Sequence, residues 1–266
     1  PPHPENCHVR TDALRRTIVR ALLGMLCAAG VHAEDNAPQA LLAVASNFSA
    51  SSKDLADAFA AEHPGTVAIT SGSTGKLYAQ IQNGAPYDLF LSADRVHPDK
   101  LTAEGLAVDG SRFTYAIGRL ALYSTTLPVA TQGAQALGST AVQHVSIANP
   151  ETAPYGVAAV EALKALKQWD LLNARVVYGE NIAQAFQFTQ GGAAELGFVA
   201  YAQVLKEDAT RYWLVPETLY SPLMQDAVLL KHGEENETAR AFLRFLKTDA
   251  ARDLILRNGY GVPEKP

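Results

Sequence analysis

Short uninterrupted apolar runs along the chain alternate with segments whose apolar residues recur every three or four positions. The runs read as buried strands and the periodic segments as helices with one inward face. Residues 40–45 (ALLAVA) are the first such run. Ser46-Asn47-Phe48 ends it, and a helix starts at once with Leu55, Ala58 and Phe59 inward and cap-type residues Asn47, Ser49 and Ser51 at its head. His63-Pro64-Gly65 stops that helix, and residues 66–70 begin the next strand. Residues 70–93, TSGSTGKLYAQIQNGAPYDLFLSA, repeat the order. A Ser/Gly/Thr loop leads to a helix with Leu77 and Ile81 inward, a stop at Asn83-Gly84, and a strand over 87–91. A helix around 97–104 follows.

Residues 113–123 (FTYAIGRLALY) predict one long apolar strand with Gly118 in its middle, long enough to cross between two lobes. Residues 125–141, rich in Thr, Ala, Gln and Gly, predict an irregular surface segment with one short helix. The second half then repeats the pattern. A strand over 145–148 leads through a loop to a helix opening at Tyr155-Gly156, with Val157, Val160, Leu163 and Leu166 as its apolar face. A strand over 176–178 precedes a helix opened by Glu180-Asn181-Ile182, and a strand over 196–200 precedes a short helix over 201–206. Strands over 213–216 and 226–231 lead back toward the first half, and one last helix spans 237–257 with Gly259 after it. This alternation predicts an α/β fold of two lobes with mixed, mostly parallel sheets and a ligand cleft between them. The crossing points place residues 34–118 and 220–266 in lobe 1 and residues 119–219 in lobe 2.

Composition adds a leader and removes several chemistries. The chain has 266 residues, 48% hydrophobic and 18% charged, an ordinary soluble balance with material for one large or two modest domains. Arg10, Arg15, Arg16 and Arg20 precede a short apolar run over 21–29, and Val31-His32-Ala33 suits a cleavage site. Residues 1–33 therefore read as a secretory signal cut after Ala33. The run is too short for a comfortable membrane span, and Gly24-Met25-Leu26 before Cys27 is a poor lipoprotein signal. The leader carries those four Arg against Glu5 and Asp12, so its loss takes the formal net charge from −5 to −7. That sign argues against general nucleic-acid binding. Both cysteines, Cys7 and Cys27, leave with the leader, which excludes disulfide and thiolate chemistry in the exported protein.

Four strand-to-helix junctions remain as candidate chemistry: Ser46-Asn47, Ser73-Thr74, Tyr155-Gly156 and Asn181-Ile182, two in each half. Each points free backbone N–H groups at whatever lies above a helix start, an arrangement suited to an anion. In open α/β sheets, ligands bind at such positions beyond the carboxyl ends of strands. The Gly-Ser-Thr-Gly-Lys run is no phosphate-binding P-loop, since Thr70 and Leu77 stand where that motif requires Gly and Ser or Thr. An enzyme finds little support. There is no Gly-x-Ser-x-Gly elbow, and His63, His97, His144 and His232 lack metal-ligand spacing. Asp88 and Asp94 flank a strand end and could form a carboxylate pair, though capping and hydrogen bonding is the simpler role. Lys76 is expected to face solvent.

The sequence resembles the periplasmic molybdate-binding proteins of ABC importers over nearly all of the exported chain. The resemblance rests on AVASNF (43–48), SGSTGKLYAQIQNGAPYDLFLSAD (71–94), SRFTYAIGRLALYS (111–124), ANPETAPYG (148–156), GENIAQA (179–185) and ELGFVA (195–200), the second being the most specific. It implies a type II periplasmic-binding-protein fold with two crossover strands. In that family neutral groups hold the oxyanion: side-chain hydroxyls or amides, and backbone N–H groups at helix starts. Carried onto this sequence, they are Ser46 and Asn47, Thr74 with its neighbour Ser73, Tyr155, and the backbone N–H of Ile182. These groups would hold molybdate by hydrogen bonds, with no direct coordination of the metal. Some members carry a Tyr where Ala200 stands here, so the phenol is assigned to Tyr155. Thr74 stands where Ser is usual and Asn47 where many members have Ser, and both keep a donor. The resemblance implies a monomeric periplasmic protein, not an enzyme and without a cofactor. It would capture molybdate or tungstate for the permease of an ABC transporter and bind no nucleic acid. A site for another oxyanion such as sulfate, or a phosphate-ester enzyme using the same cleft, is the alternative.

Overall fold

The computed structural model describes residues 39–264; the expected leader over 1–33, with Cys7, Cys27 and the cleavage point at Ala33, lies outside the described residues. The strands are β1 (Gln39–Ala45), β2 (Thr66–Gly72), β3 (Leu89–Leu91), β4 (Phe113–Gly118), β5 (Leu120–Tyr123), β6 (Val145–Ala148), β7 (Val176–Gly179), β8 (Leu196–Ala200), β9 (Tyr212–Leu214) and β10 (Leu223–Leu229). The α-helices are α1 (Ser49–Glu62), α2 (Thr74–Gln82), α3 (Val96–Ala103), α4 (Val129–Gln132), α5 (Pro154–Ala165), α6 (Trp169–Leu172), α7 (Ile182–Gln190), α8 (Tyr201–Val204), α9 (Glu237–Phe245) and α10 (Asp249–Arg257). Among the described residues no helix is long and apolar enough to cross a membrane.

Two five-stranded sheets result, ordered β2-β1-β3-β10-β4 and β7-β6-β8-β5-β9, and each anchors one lobe. The two-lobed α/β architecture matches the expectation, and the pairing is evenly mixed. β1 pairs parallel with β2 and β3, and β6 with β7 and β8, while the other two pairs of each sheet are antiparallel. The chain leaves the first sheet along β4 and re-enters it along β10, which makes that pair antiparallel. β5 and β9 are the corresponding pair in the second sheet.

The continuous apolar runs follow from helices on both faces of each sheet. Along β1, Leu42 and Val44 face a core with Phe48, Leu55, Phe59 and Phe242, while Ala43 faces another with Leu77, Ile81 and Phe90. Along β5, Leu120 and Leu122 enter the main core of the second lobe, and Ala121 and Tyr123 pack with Val199 and Val204 on the other side.

Three local expectations change. The long strand over 113–123 is two strands, one in each sheet, separated by Arg119, because the chain turns from one sheet into the other there. The last helix breaks into α9 and α10; the Thr248 hydroxyl accepts the Ala251 N–H and starts the second, and Gly259 follows with φ +86°. α5 buries Tyr155, Ala158, Ala159, Ala162 and Leu163, whereas Val157 is 43% exposed. Its inward face is set by small residues that allow close approach to β6, a property that hydropathy does not report.

Gly156 permits that approach, since a Cβ there would collide with the Ala148 carbonyl oxygen and lie 2.8 Å from Pro150 N. Gly156→Ala should therefore destabilise the protein by about 1–3 kcal/mol through overpacking. Chemical denaturation checks this, and an unchanged midpoint would show that the helix start can shift freely.

Candidate functional site

Four helix starts converge between the lobes. β1 runs through a single 3-10 turn, Ser46–Phe48, into α1. Buried Phe48 fixes that turn by packing edge-on against Tyr115 and Tyr260, at ring-centroid distances of 4.8 and 5.0 Å. Ser73 is the cap residue before α2, Pro154 opens α5, and Asn181 caps α7 by accepting from the Ala183 and Gln184 N–H groups. Backbone N–H groups in a first helical turn have no intrahelical acceptor and carry the positive end of the helix dipole.

Ser46, Asn47, Ser73, Thr74, Tyr155 and Ile182 all line one tight cavity of about 10 Å³. That volume is far below the roughly 300–1,000 Å³ of pockets for organic ligands. No Arg or Lys lines it. Two larger hollows, one beside Val96, Val157 and Met224 and another beside Phe113, Leu246 and Val262, have mainly apolar walls and no such convergence of donors. Ala200 is buried in the second lobe and does not line the cavity.

The hydroxyls are set to donate. The Ser73 Oγ is the one buried side-chain polar atom without a hydrogen-bond partner among the described residues. The Thr74 Oγ1 accepts from the Ala93 N–H at 3.2 Å, and the Tyr155 phenol oxygen accepts from Gln225 Nε2 at 3.3 Å. An oxygen that already accepts from the protein keeps its own proton to give. Burial, with Tyr260 nearby, pushes the Tyr155 phenol well above its ordinary range, so it remains protonated through neutral pH.

Asn47 contributes differently. Its Nδ2 donates to Gln225 Oε1 at 2.9 Å and to Tyr260 OH at 3.3 Å, so both amide hydrogens have acceptors inside the first lobe. Asn47 lines the cavity with no side-chain amide hydrogen left to give it. Lys76 does not simply face solvent: it pairs with Glu180 of the second lobe at 2.9 Å, both side chains half-exposed. Beside that pair, the Gly75 N–H donates to the Thr152 carbonyl at 2.9 Å. The lobes thus meet directly at the cavity rim. Asp88 accepts from the Leu41 N–H and bonds His232, and Asp94 accepts from Ser92 Oγ and bonds His97. Both carboxylates hold the first lobe together. No group of three or more His, Cys, Asp or Glu among the described residues could hold a metal ion.

Gln225, Gly75 and Thr152 were not singled out from the sequence. Gln225 had a signal, as an uncharged polar residue that, with Asp226, interrupts a mainly apolar strand. The other two had none, because their contact spans the lobes.

Two lobes of mixed sheets, joined by chain crossings and meeting over a small donor-lined cavity, define a solute-binding protein. Residues 40–261 match the family described as bacterial extracellular solute-binding protein, and the chain belongs to it. The molybdate-binding protein ModA of Azotobacter vinelandii is 44% identical over 253 residues, covering 94% of this chain and 98% of that protein. ModA of Rhodobacter capsulatus is 43% identical over 224 residues, covering 84% of this chain and 88% of that protein. The solved structure of the Azotobacter vinelandii periplasmic molybdate-binding protein matches with a TM-score of 0.81 at 40% identity, covering 85% of this chain and 100% of that one.

Burial also holds Tyr115 and Tyr260 well above the ordinary phenol range, beside Tyr155. Folded pKa values above the unfolded value of about 10 give stability that is fully present below that pH and lost as pH rises toward the folded values. Thermal midpoints should therefore stay level near neutrality and fall above about pH 10. Tyr260→Phe should blunt the fall; an unchanged slope would place the sensitivity elsewhere.

Proposed function

We propose that this chain captures molybdate, or tungstate of nearly equal size, in the periplasm and delivers it to the permease of an ABC transporter. The observation that carries this reading is the buried, unpartnered Ser73 hydroxyl in a cavity of neutral donors at four helix starts. Molybdate near neutral pH is a fully deprotonated tetrahedral dianion whose oxygens can only accept hydrogen bonds. The Ser73, Thr74 and Tyr155 hydroxyls and the N–H groups at Ser46, Asn47 and Ile182 are the complementary set. Each charge-assisted bond contributes roughly 1.5–3 kcal/mol net, so several together offset desolvation of the ion without a cationic side chain.

The same set gives selectivity. Phosphate carries a proton at neutral pH and requires an acceptor, and leaving that proton unpaired costs about 1–3 kcal/mol. Sulfate carries none, so only size separates it from the larger molybdate. The lobe formed by residues 34–118 with 220–266 and the lobe formed by 119–219 each hold part of the donor set. Closure about the two chain crossings completes the site and presents a ligand-dependent shape to the permease. The protein acts as a monomer after removal of residues 1–33, and has no cofactor and no catalytic step.

Calorimetry on residues 34–266 with molybdate, tungstate, sulfate and phosphate tests this. Tight binding of the two large oxyanions, weaker sulfate and poor phosphate is expected. Ser73→Ala and Tyr155→Phe should each weaken molybdate binding by roughly 10- to 150-fold, the equivalent of one charge-assisted bond. Failure of both large ions to bind would overturn the proposal, and sulfate binding more tightly than molybdate would reassign the ligand.

A further inference from the structure

Gln225 is fully buried on β10, at the point where the pairing with β4 shifts register between Gln225 and Asp226. A buried amide is costly unless its donors and acceptor are satisfied. Here both polar atoms of the amide are bonded, the oxygen from one lobe and the nitrogen to the other. The Oε1 accepts from Asn47 Nδ2 at 2.9 Å and from Tyr115 OH at 3.1 Å, both in the first lobe. The Nε2 donates to Tyr155 OH, in the second lobe, at 3.3 Å.

The direction of each bond follows from its neighbour. Tyr260 gives its hydroxyl proton to the Asn47 carbonyl at 2.6 Å, so toward the Asn47 side chain it must accept. That places the Asn47 amide nitrogen, a donor only, beside Gln225 and requires Oε1 to face it. Nε2 is then left against Tyr155, whose oxygen must accept, and the phenol proton turns away from Gln225. Gly118, where the chain crosses between lobes, makes room for this contact. A Cβ there would collide with the Tyr155 hydroxyl and lie 2.6 Å from Gln225 Nε2.

We propose that Gln225 is a positioning residue: by donating to the Tyr155 oxygen it commits the phenol to donate into the cavity, and so keeps the site closed to anions that carry a proton. The inference rests on the oxyanion reading above and extends it to a residue that does not line the cavity. Gln225→Met keeps the volume and removes the bond to Tyr155 together with those from Asn47 and Tyr115, leaving the Tyr155 hydroxyl free to accept as well as donate. Gln225→Glu supplies an acceptor and draws the phenol proton away from the cavity.

The test is a calorimetric double-mutant cycle on residues 34–266 with molybdate and phosphate, using wild type, Gln225→Met, Tyr155→Phe and the double variant, with thermal melts to confirm folding. Gln225→Met should weaken molybdate binding about tenfold and narrow the molybdate-to-phosphate ratio. In the Tyr155→Phe background the same change should cost less than about threefold, because the phenol it positions is gone. Gln225→Glu should weaken molybdate binding more than Gln225→Met does. Equal losses in both backgrounds, or an unchanged molybdate-to-phosphate ratio, would overturn the proposal. If wild type binds neither molybdate nor tungstate, the oxyanion reading fails first, and the contact is still tested without ligand. Exchange of the Gln225 side-chain amide protons, followed by NMR, should quicken in Tyr155→Phe, and unchanged exchange would overturn it.

Discussion

A hydrogen-bond donor removed from water must meet an acceptor, and the fold gathers several such donors at one place without supplying one. The Ser73 hydroxyl is buried with no partner among the described residues, and four helix starts contribute residues to the wall of the same cavity. Everything around the cavity limits the cost of that arrangement. Thr74 and Tyr155 each already accept one hydrogen bond from the protein, from Ala93 and Gln225. Phe48 wedges the first helix start between two tyrosines. No cation is used, so an anion would be distinguished by what its oxygens accept, and charge alone would not decide it.

The second constraint is reach. No single sheet can surround a tetrahedral ion, and the chain divides the donors between two lobes that it crosses at Arg119 and again before β10. Close approach of the lobes depends on small residues at their contacts. Gly75 would place a Cβ 3.1 Å from the Thr152 Cα, and Gly118 leaves space for the amide–phenol contact behind the cavity. The exposed Lys76–Glu180 pair adds little energy, about 0–1 kcal/mol, but it links the lobes at the rim.

The strands were the most legible part of the fold. Residues 40–45 and 196–200 are apolar throughout, and 145–148 are so apart from Ser146, because helices cover both sheet faces, and such runs need no long-range information to be recognised. The junctions were legible for a related reason. Ser, Thr, Asn, Gly and Pro at a strand-to-helix switch serve local backbone needs that the sequence expresses directly, as Asn181 does in capping α7. What could not be read were features decided by neighbours distant in sequence. Val157 has a core-type side chain but lies outward, because the alanines of α5 pack against β6. The antiparallel half of each sheet depends on where the chain re-enters. Lys76 meets Glu180 only because two lobes come together.

The sequence by itself determined the class of fold, the four helix starts and the neutral chemistry of the candidate site. The fold class and helix starts follow from hydrophobic period and cap residues, and the neutral chemistry from the family resemblance carried by the motifs at those junctions. Tertiary structure alone decided which donors remain free. Asn47 gives both amide hydrogens to Gln225 and Tyr260, residues 178 and 213 positions away, while Ser73 gives none. A hydrogen bond depends on position and direction to within a few tenths of an ångström. Those coordinates are set by the packing of two lobes against each other, which no local stretch of sequence contains.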